Sequence, residues 1–263
     1  MYKGDRLMIN YNVSAVYFSP TDNSRKGACA IAGVFDKNYQ KIDMTLWNSK
    51  PEKSSFDETD LVIFGAPVYS GRVFKGALER FSRLSGKQTP CILTVSYGNR
   101  HYDDALLELY DIAVGNGFLP FAAAALIGRH TYGEIEVGRP DETDISENAD
   151  FAQKAYVKLH GVGPVLAAVP GNRPYREGGM GGRFRPLTDA NCTHCGLCSR
   201  KCPEGAISLS NYYDIDDARC IACFRCIRIC RVHAKNMDTD EYRAFAKMFT
   251  EKLSAKRSNE YFI

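Results

Sequence analysis

The sequence predicts an α/β domain, a parallel sheet covered by helices, followed by a small cysteine-rich α+β domain. Three observations carry this. Apolar runs of strand length alternate with helical runs through the first 160 residues. Eight of the ten cysteines fall between residues 192 and 230, with only Cys29 and Cys91 outside. Between the two regions, residues 161–187 are rich in glycine and proline and break the pattern.

Taken in order, Val13–Phe18 is a short apolar run that predicts a strand. The turn Ser19-Pro20-Thr21-Asp22-Asn23-Ser24 follows, then a helix over Arg25–Phe35. Leu61–Gly65 is a continuous apolar run, as a strand buried on both faces requires. Phe74–Leu84 reads as a helix with Leu78, Phe81 and Leu84 on one face. Cys91–Val95 is a second buried strand, Tyr102–Val114 a helix, Phe118–Ile127 a strand and Asp144–Leu159 a helix. The segment 161–187 reads as a linker or long excursion, locally basic through Arg173, Arg176, Arg183 and Arg185 against the single acid Glu177. After the cysteines, Asp240–Lys256 predicts a helix with Tyr242, Phe245, Phe249 and Leu253 at apolar spacing. The expected divisions are a first domain over 1–160, the linker, a cysteine domain over 188–240 and a C-terminal helix over 241–263.

An apolar fraction of 44% and a charged fraction of 25% are those of a globular protein. A net charge of +3 is too weak to argue for nucleic acid or a membrane surface. No run of about 18 apolar residues exists, and Met1–Asn12 has no apolar signal region. The expected location is therefore the cytoplasm, where ten cysteines are not explained as disulfides. Cys29 and Cys91 read as small buried apolar residues.

The cysteine region is an internal repeat. Cys192, Cys195, Cys198 and Cys202 recur 28 residues later as Cys220, Cys223, Cys226 and Cys230, and Ala206 recurs as Ala234. Each half is C-x2-C-x2-C-x3-C, the run whose fourth cysteine serves the other of two iron–sulfur clusters. Three thiolates on one tight loop cap three corners of a cube, and the fourth corner needs a ligand from elsewhere. This assigns Cys192, Cys195, Cys198 and Cys230 to one 4Fe–4S cluster, and Cys220, Cys223, Cys226 and Cys202 to the other. Zinc, which also takes four thiolates, is the competing reading, although its sites ordinarily use paired C-x2-C knuckles. His194 reads as a solvated loop histidine. Pro203 follows the first run and Arg231 stands in its place after the second, a positive charge that favours a reduced cluster.

Three loops follow predicted strands at their carboxyl ends, where open α/β sheets bind ligands. Ser19–Ser24 offers hydroxyls, an amide and a helix N-terminus to a phosphate. Ala66–Arg72 and Ser96–Tyr102 are the other two. Here the chain resembles flavodoxins: S-P-T-D-N-S is similar to the phosphate loop T-x-T-G-N-T, with Asp22 in place of Gly. With the paired cysteine runs, the whole resembles the flavodoxin–ferredoxin fusion proteins of anaerobic microbes. The resemblance implies a flavodoxin-like, doubly wound five-stranded parallel sheet of order 2-1-3-4-5, then a ferredoxin-like two-cluster domain. It implies FMN held by Ser19, Thr21, Asp22, Asn23 and Ser24, by Pro67, Val68, Tyr69, Ser70 and Gly71, and by Ser96, Tyr97, Gly98, Asn99, Arg100 and Tyr102, with Tyr102 stacked on the flavin. Asp22 would set a carboxylate near the phosphate unless it turns outward or caps the helix. Ser70-Gly71 is expected to present a flexible peptide to the flavin ring.

The implied function is electron transfer between two 4Fe–4S clusters and FMN and on to a redox partner protein. The alternative is an FMN-dependent reductase of a small molecule, with the clusters as its wire. Arg100, Arg129, His130 and Arg139 would then orient an anionic substrate. A zinc-dependent interaction module is the remote third reading. Trp47 is expected in the core.

Overall fold

The computed structural model describes residues 10–161, 164 and 166–263. The first nine residues of the expected first domain, and positions 162, 163 and 165 of the linker, lie outside the described residues.

The elements run β1 (Asn12–Tyr17), α1 (Asn23–Phe35), β2 (Gln40–Asp43), β3 (Asp60–Tyr69), α2 (Lys75–Phe81), β4 (Thr89–Tyr97), α3 (Ala105–Gly115), β5 (Phe118–Ile127), α4 (Glu142–Gly161), α5 (Leu197–Arg200), α6 (Arg225–Ile229), α7 (Asp240–Lys252) and β6 (Glu260–Phe262). The main sheet has the order β2-β1-β3-β4-β5-β6. Its first five strands are parallel, and β6 closes the β5 edge antiparallel. Those five give the 2-1-3-4-5 order of a flavodoxin-like fold.

Side chains alternate across each strand, so one run of residues feeds two cores. On one face Val16, Val62, Phe64, Leu93 and Ala123 pack with Phe81 of α2 and Leu106 and Leu109 of α3. On the other, Ala15, Leu61, Ile63, Ile92 and Ala122 pack with Ile31 of α1 and Phe151 and Leu159 of α4. Cys91 is fully buried in the first core, whereas Cys29 is half-buried at the edge of the second.

Three local expectations are corrected. β3 runs on to Tyr69 and β4 to Tyr97, so half of each expected loop is strand. The helix expected to Leu84 stops at Phe81. The tail over 241–263 is not one helix: after α7 the chain returns to the sheet as β6. β6 covers the otherwise open edge of β5, and Tyr261 stacks on Phe151 at 4.9 Å. Trp47, expected in the core, is 52% exposed with the Arg219 guanidinium over its ring.

The linker is strapped to α3. Asp104 is only 3% exposed and accepts the backbone N–H groups of Asn172 (2.8 Å) and Arg176 (2.7 Å). Asp111 pairs with Arg173 and accepts the Tyr175 hydroxyl, and Arg176 pairs with Asp103. Arg183 and Arg185 bind Glu241 and Asp217 of the C-terminal region. A third, smaller core of Phe184, Ala222 and Phe224, with Tyr132, Tyr242 and Phe245 against it, joins linker, cysteine domain and α7.

Candidate functional site

The cysteine repeat is also a repeat of backbone shape. His194, Gly196 and Gly205 have positive φ (54°, 70° and 59°), and so have Ala222, Phe224 and His233 (51°, 57° and 54°), each pair 28 residues apart. Left-handed turns on both sides of Cys195 and of Cys223 curl each loop around its thiols. Only Gly takes that conformation without cost, so at Ala222 and Phe224 the surrounding packing holds it. The hydrogen bonds repeat too: Cys202 N–H to Ser199 O recurs as Cys230 N–H to Ile227 O. The Ala206 N–H donates to Cys202 Sγ at 3.3 Å.

Cys202, Cys220, Cys223 and Cys226 line one internal cavity, with Ile207, Ile215 and Phe224 as apolar walls. This is the thiol set expected from crossed ligation: one residue from the first run and three from the second. Among the described residues, no three His, Cys, Asp or Glu side chains gather as a single-ion site. Burial pushes the Cys223 thiol up to about 12 and Cys226 higher still, so iron binding here must displace protons. The first run differs. Cys195 is exposed, and the Leu197 N–H holds its thiol below the usual value. The two ligand sets thus offer one solvent-facing site and one enclosed site.

At the carboxyl ends of β1, β3 and β4 lies a cleft of about 210 Å³. Ser19, Thr21, Asn23, Ser24, Pro67, Val68, Tyr69, Ser70, Ser96, Tyr97, Gly98 and Arg100 of the sequence-derived set line it. The loop before α1 is a helix entry whose own caps are partly satisfied: Ser19 Oγ accepts the Arg25 N–H at 3.0 Å. Among the described residues, the N–H groups of Thr21, Asp22, Asn23 and Ser24 find no protein acceptor. Donors left over at a helix N-terminus suit a phosphate. Ser24 and Ser96 share a 2.6 Å hydrogen bond that ties this loop to the third one. The Tyr97 hydroxyl and Arg129 Nε are buried without a partner. A ligand with polar edges fits this cleft and satisfies such atoms.

Four of the expected residues are not in the cleft. Asp22 adopts φ 70° and turns its carboxylate outward to Arg25 Nε at 2.8 Å. The left-handed backbone explains why Gly suits this position, and Asp tolerates it better than most residues. Gly71 forms, with Ser70, the two-residue turn between β3 and Arg72–Val73. Both have positive φ, as a type I′ hairpin requires, so this peptide is a fixed turn. Asn99 is buried and binds the tail, donating to Leu253 O and Ala255 O and accepting from Arg257 N. Tyr102, expected to stack on the flavin, is 2% exposed and donates to Glu260 of β6 at 2.7 Å. The chain turns into α3 right after it, which carries the ring inward.

Residues the sequence did not single out close the cleft instead. Tyr132, Met180, Gly182, Ala222, Phe245 and Phe249 come from the loop after β5, the linker, the cysteine loop and α7. The Phe245 and Phe249 rings stack at 5.1 Å, one α7 turn apart, and His130 meets Phe249 edge-on at 5.0 Å. The i, i+4 aromatic spacing on α7 was the visible signal. Burial lowers the His130 pKa to about 4, so the ring is neutral and accepts the Tyr132 N–H at Nδ1. Arg100 and Arg129 line the cleft, Arg100 paired with Asp103, while Arg139 instead pairs with buried Asp144. No helix of the described residues is long and apolar enough to cross a membrane.

Comparison with known proteins agrees with the cysteine geometry. No curated protein matches the chain. Among solved structures, a flavodoxin from the Archaea is 16% identical with a TM-score of 0.39, covering 56% of this chain and 97% of its own. A WrbA-like flavodoxin from Agrobacterium tumefaciens is 14% identical with a TM-score of 0.43, covering 58% and 99%. An azoreductase, AzrA, is 12% identical with a TM-score of 0.36, covering 56% and 99%. At these scores the likeness adds nothing to the strand order and register described above. Residues 191–234 match the 4Fe-4S dicluster domain family, so the chain joins an iron–sulfur domain to a flavodoxin-like α/β fold.

Proposed function

We propose that this chain is an electron-transfer protein that links two 4Fe–4S clusters to FMN within one polypeptide and passes electrons to a partner redox enzyme. One observation carries the reading. Ala222, which lies between the ligands Cys220 and Cys223, lines the cleft offered for the flavin. The enclosed cysteine set and the cleft therefore share a wall one residue thick. When bound, clusters supply one-electron steps and a flavin supplies one- or two-electron chemistry.

The residues have distinct parts in this reading. The free N–H groups of Thr21–Ser24 hold the phosphate, which selects FMN over riboflavin. Pro67–Ser70 and Ser96–Gly98 flank the ring system. Tyr132, Phe245 and Phe249 exclude water from it. A cleft closed by linker and helix suits a carrier better than an enzyme that must admit substrate. The second reading, a reductase of a small anion, rests on Arg100 and Arg129 at the same cleft.

The test is anaerobic purification followed by iron, sulfide and flavin assays. Close to eight irons, eight sulfides and one FMN per chain is the expected result. Stoichiometric zinc with little sulfide sinks the cluster assignment. Equal affinity for riboflavin and FMN shows that the Ser19–Ser24 loop is only a helix cap.

A further inference from the structure

Arg225 stands between the ligands Cys223 and Cys226 and opens α6. Its side chain crosses to the other domain, where Nη1 donates to Pro20 O at 3.0 Å and to Ser19 O at 3.2 Å. Those two carbonyls belong to the loop offered for the FMN phosphate. Arg225 also lines the cavity around Cys202, Cys220, Cys223 and Cys226. Its Nε is buried and has no partner in the protein. A buried N–H without an acceptor is costly, and a guanidinium is the side chain whose donors are fixed in one plane and can serve two sites at once. Ion pairing does not explain it: among the described residues Arg225 is in no salt bridge.

We propose that Arg225 is a shared positioning residue. Its Nη1 fixes the phosphate loop, and its Nε–H donates to the cluster held by Cys202, Cys220, Cys223 and Cys226. The inference rests on the flavin reading above for its first half only. A donor and a positive charge next to a cluster favour the more reduced state and raise its potential. Because one rigid group touches both sites, occupancy of one must bias the other, and the coupling is reciprocal. FMN binding orders Ser19 and Pro20, holds Arg225 in place and so raises the potential of the adjoining cluster. Cluster loss, conversely, loosens the phosphate loop.

The experiment is a redox titration followed by EPR on the full chain, with and without FMN, for the parent, Arg225→Gln and Arg225→Lys. In the parent, adding FMN is expected to raise one of the two midpoint potentials and leave the other fixed. Arg225→Gln should move that same midpoint to a more negative value, abolish its response to FMN and weaken FMN binding about tenfold, the loss of one charge-assisted bond. Arg225→Lys keeps the charge but loses the fork, so it should give an intermediate potential. The second midpoint, that of the Cys192 cluster, is the internal control for mere misfolding. Unchanged midpoints in Arg225→Gln overturn the inference, whatever happens to FMN affinity. Should Arg225→Gln fail to assemble, the parent with and without FMN and Arg225→Lys decide alone: two FMN-independent midpoints overturn the coupling. If the parent binds no FMN at all, the flavin reading fails, and the Arg225 potential shift still judges the donor to the cluster.

Discussion

Asp104→Asn tests whether the linker is a passive tether or a fitted part of the cleft. Asp104 is buried beside α3 and accepts the Asn172 N–H on Oδ1 at 2.8 Å and the Arg176 N–H on Oδ2 at 2.7 Å. Burial raises its pKa, but the Arg176 and Asn172 N–H groups outweigh that and hold it below the usual carboxylate range. Asparagine has one carbonyl oxygen, so it keeps one of these bonds and turns its NH2 toward the other N–H. One charge-assisted bond is lost, about 1.5–3 kcal/mol, and a donor is left facing a donor. The sum is about 2–4 kcal/mol, a shift of roughly 30- to 1,000-fold in the local opening equilibrium. Hydrogen exchange across 170–182 should accelerate by that factor while β3 and β4 stay protected. FMN should bind more weakly, because Met180 and Gly182 of the same strap close the cleft. Exchange within threefold of the parent would mean that Asp104 does not hold the strap.

Cys202→Ala should remove about half of the iron and sulfide, taking the cluster of Cys220, Cys223 and Cys226; loss confined to the Cys192 cluster, read by EPR, would show that ligation is not crossed. Asp144→Asn should cost stability at pH 7, measured by urea denaturation against the parent. Burial raises the Asp144 pKa, but the Arg139 guanidinium, the Asp141 N–H and the Asn259 amide outweigh it and hold it low. A carboxylate with a lowered folded pKa contributes stability above its unfolded value of about 3.9, and that contribution fades as pH falls through the folded value. The gap between parent and variant should therefore close below about pH 4, and a gap that is the same at pH 3 and pH 7 would refute the assignment.

Much of this was legible in the sequence because short-range chemistry sets it. Continuous apolar runs at Leu61–Gly65 and Cys91–Val95 can only be strands covered on both faces, and the 28-residue cysteine repeat fixes two matching loops. What was not legible depends on distant partners. Tyr102 looked like a flavin-stacking residue by its spacing from Gly98, but its acceptor is Glu260, 158 residues away. Asn99 looked like a loop residue at the ligand, yet it fastens the tail at Leu253 and Ala255. Asp22 raised an electrostatic objection that its left-handed backbone and its partner Arg25 remove. Trp47 has no apolar partner to bury it, and Arg219, which covers it, lies in the other domain. The closing wall of the cleft combines four segments, and only its α7 part had a periodic signature.

The unequal exposure of the two cysteine sets orders the expected electron path. Cys195 faces solvent, whereas Cys223 is buried beside Ala222 and the cleft. An external donor therefore meets the Cys192 cluster first, and the Cys223 cluster is the one placed to pass charge to the flavin. The partners in this relay sit on one chain held by the Asp104 strap and the Arg225 bridge, so the internal step should be first order. Rapid mixing with a reduced external ferredoxin should show flavin reduction at a rate independent of protein concentration once the donor is saturating. Cys202→Ala then separates the route from simple proximity. It keeps the exposed cluster, so the donor should still reduce that cluster at the parental rate. Flavin reduction should slow by about 100-fold or more, because a step that requires a missing relay must cross the gap unaided. Equal flavin reduction in parent and variant would mean that electrons reach the cleft without the buried cluster. In that case the wall shared through Ala222 is a packing contact, and the chain is better described as two tethered carriers.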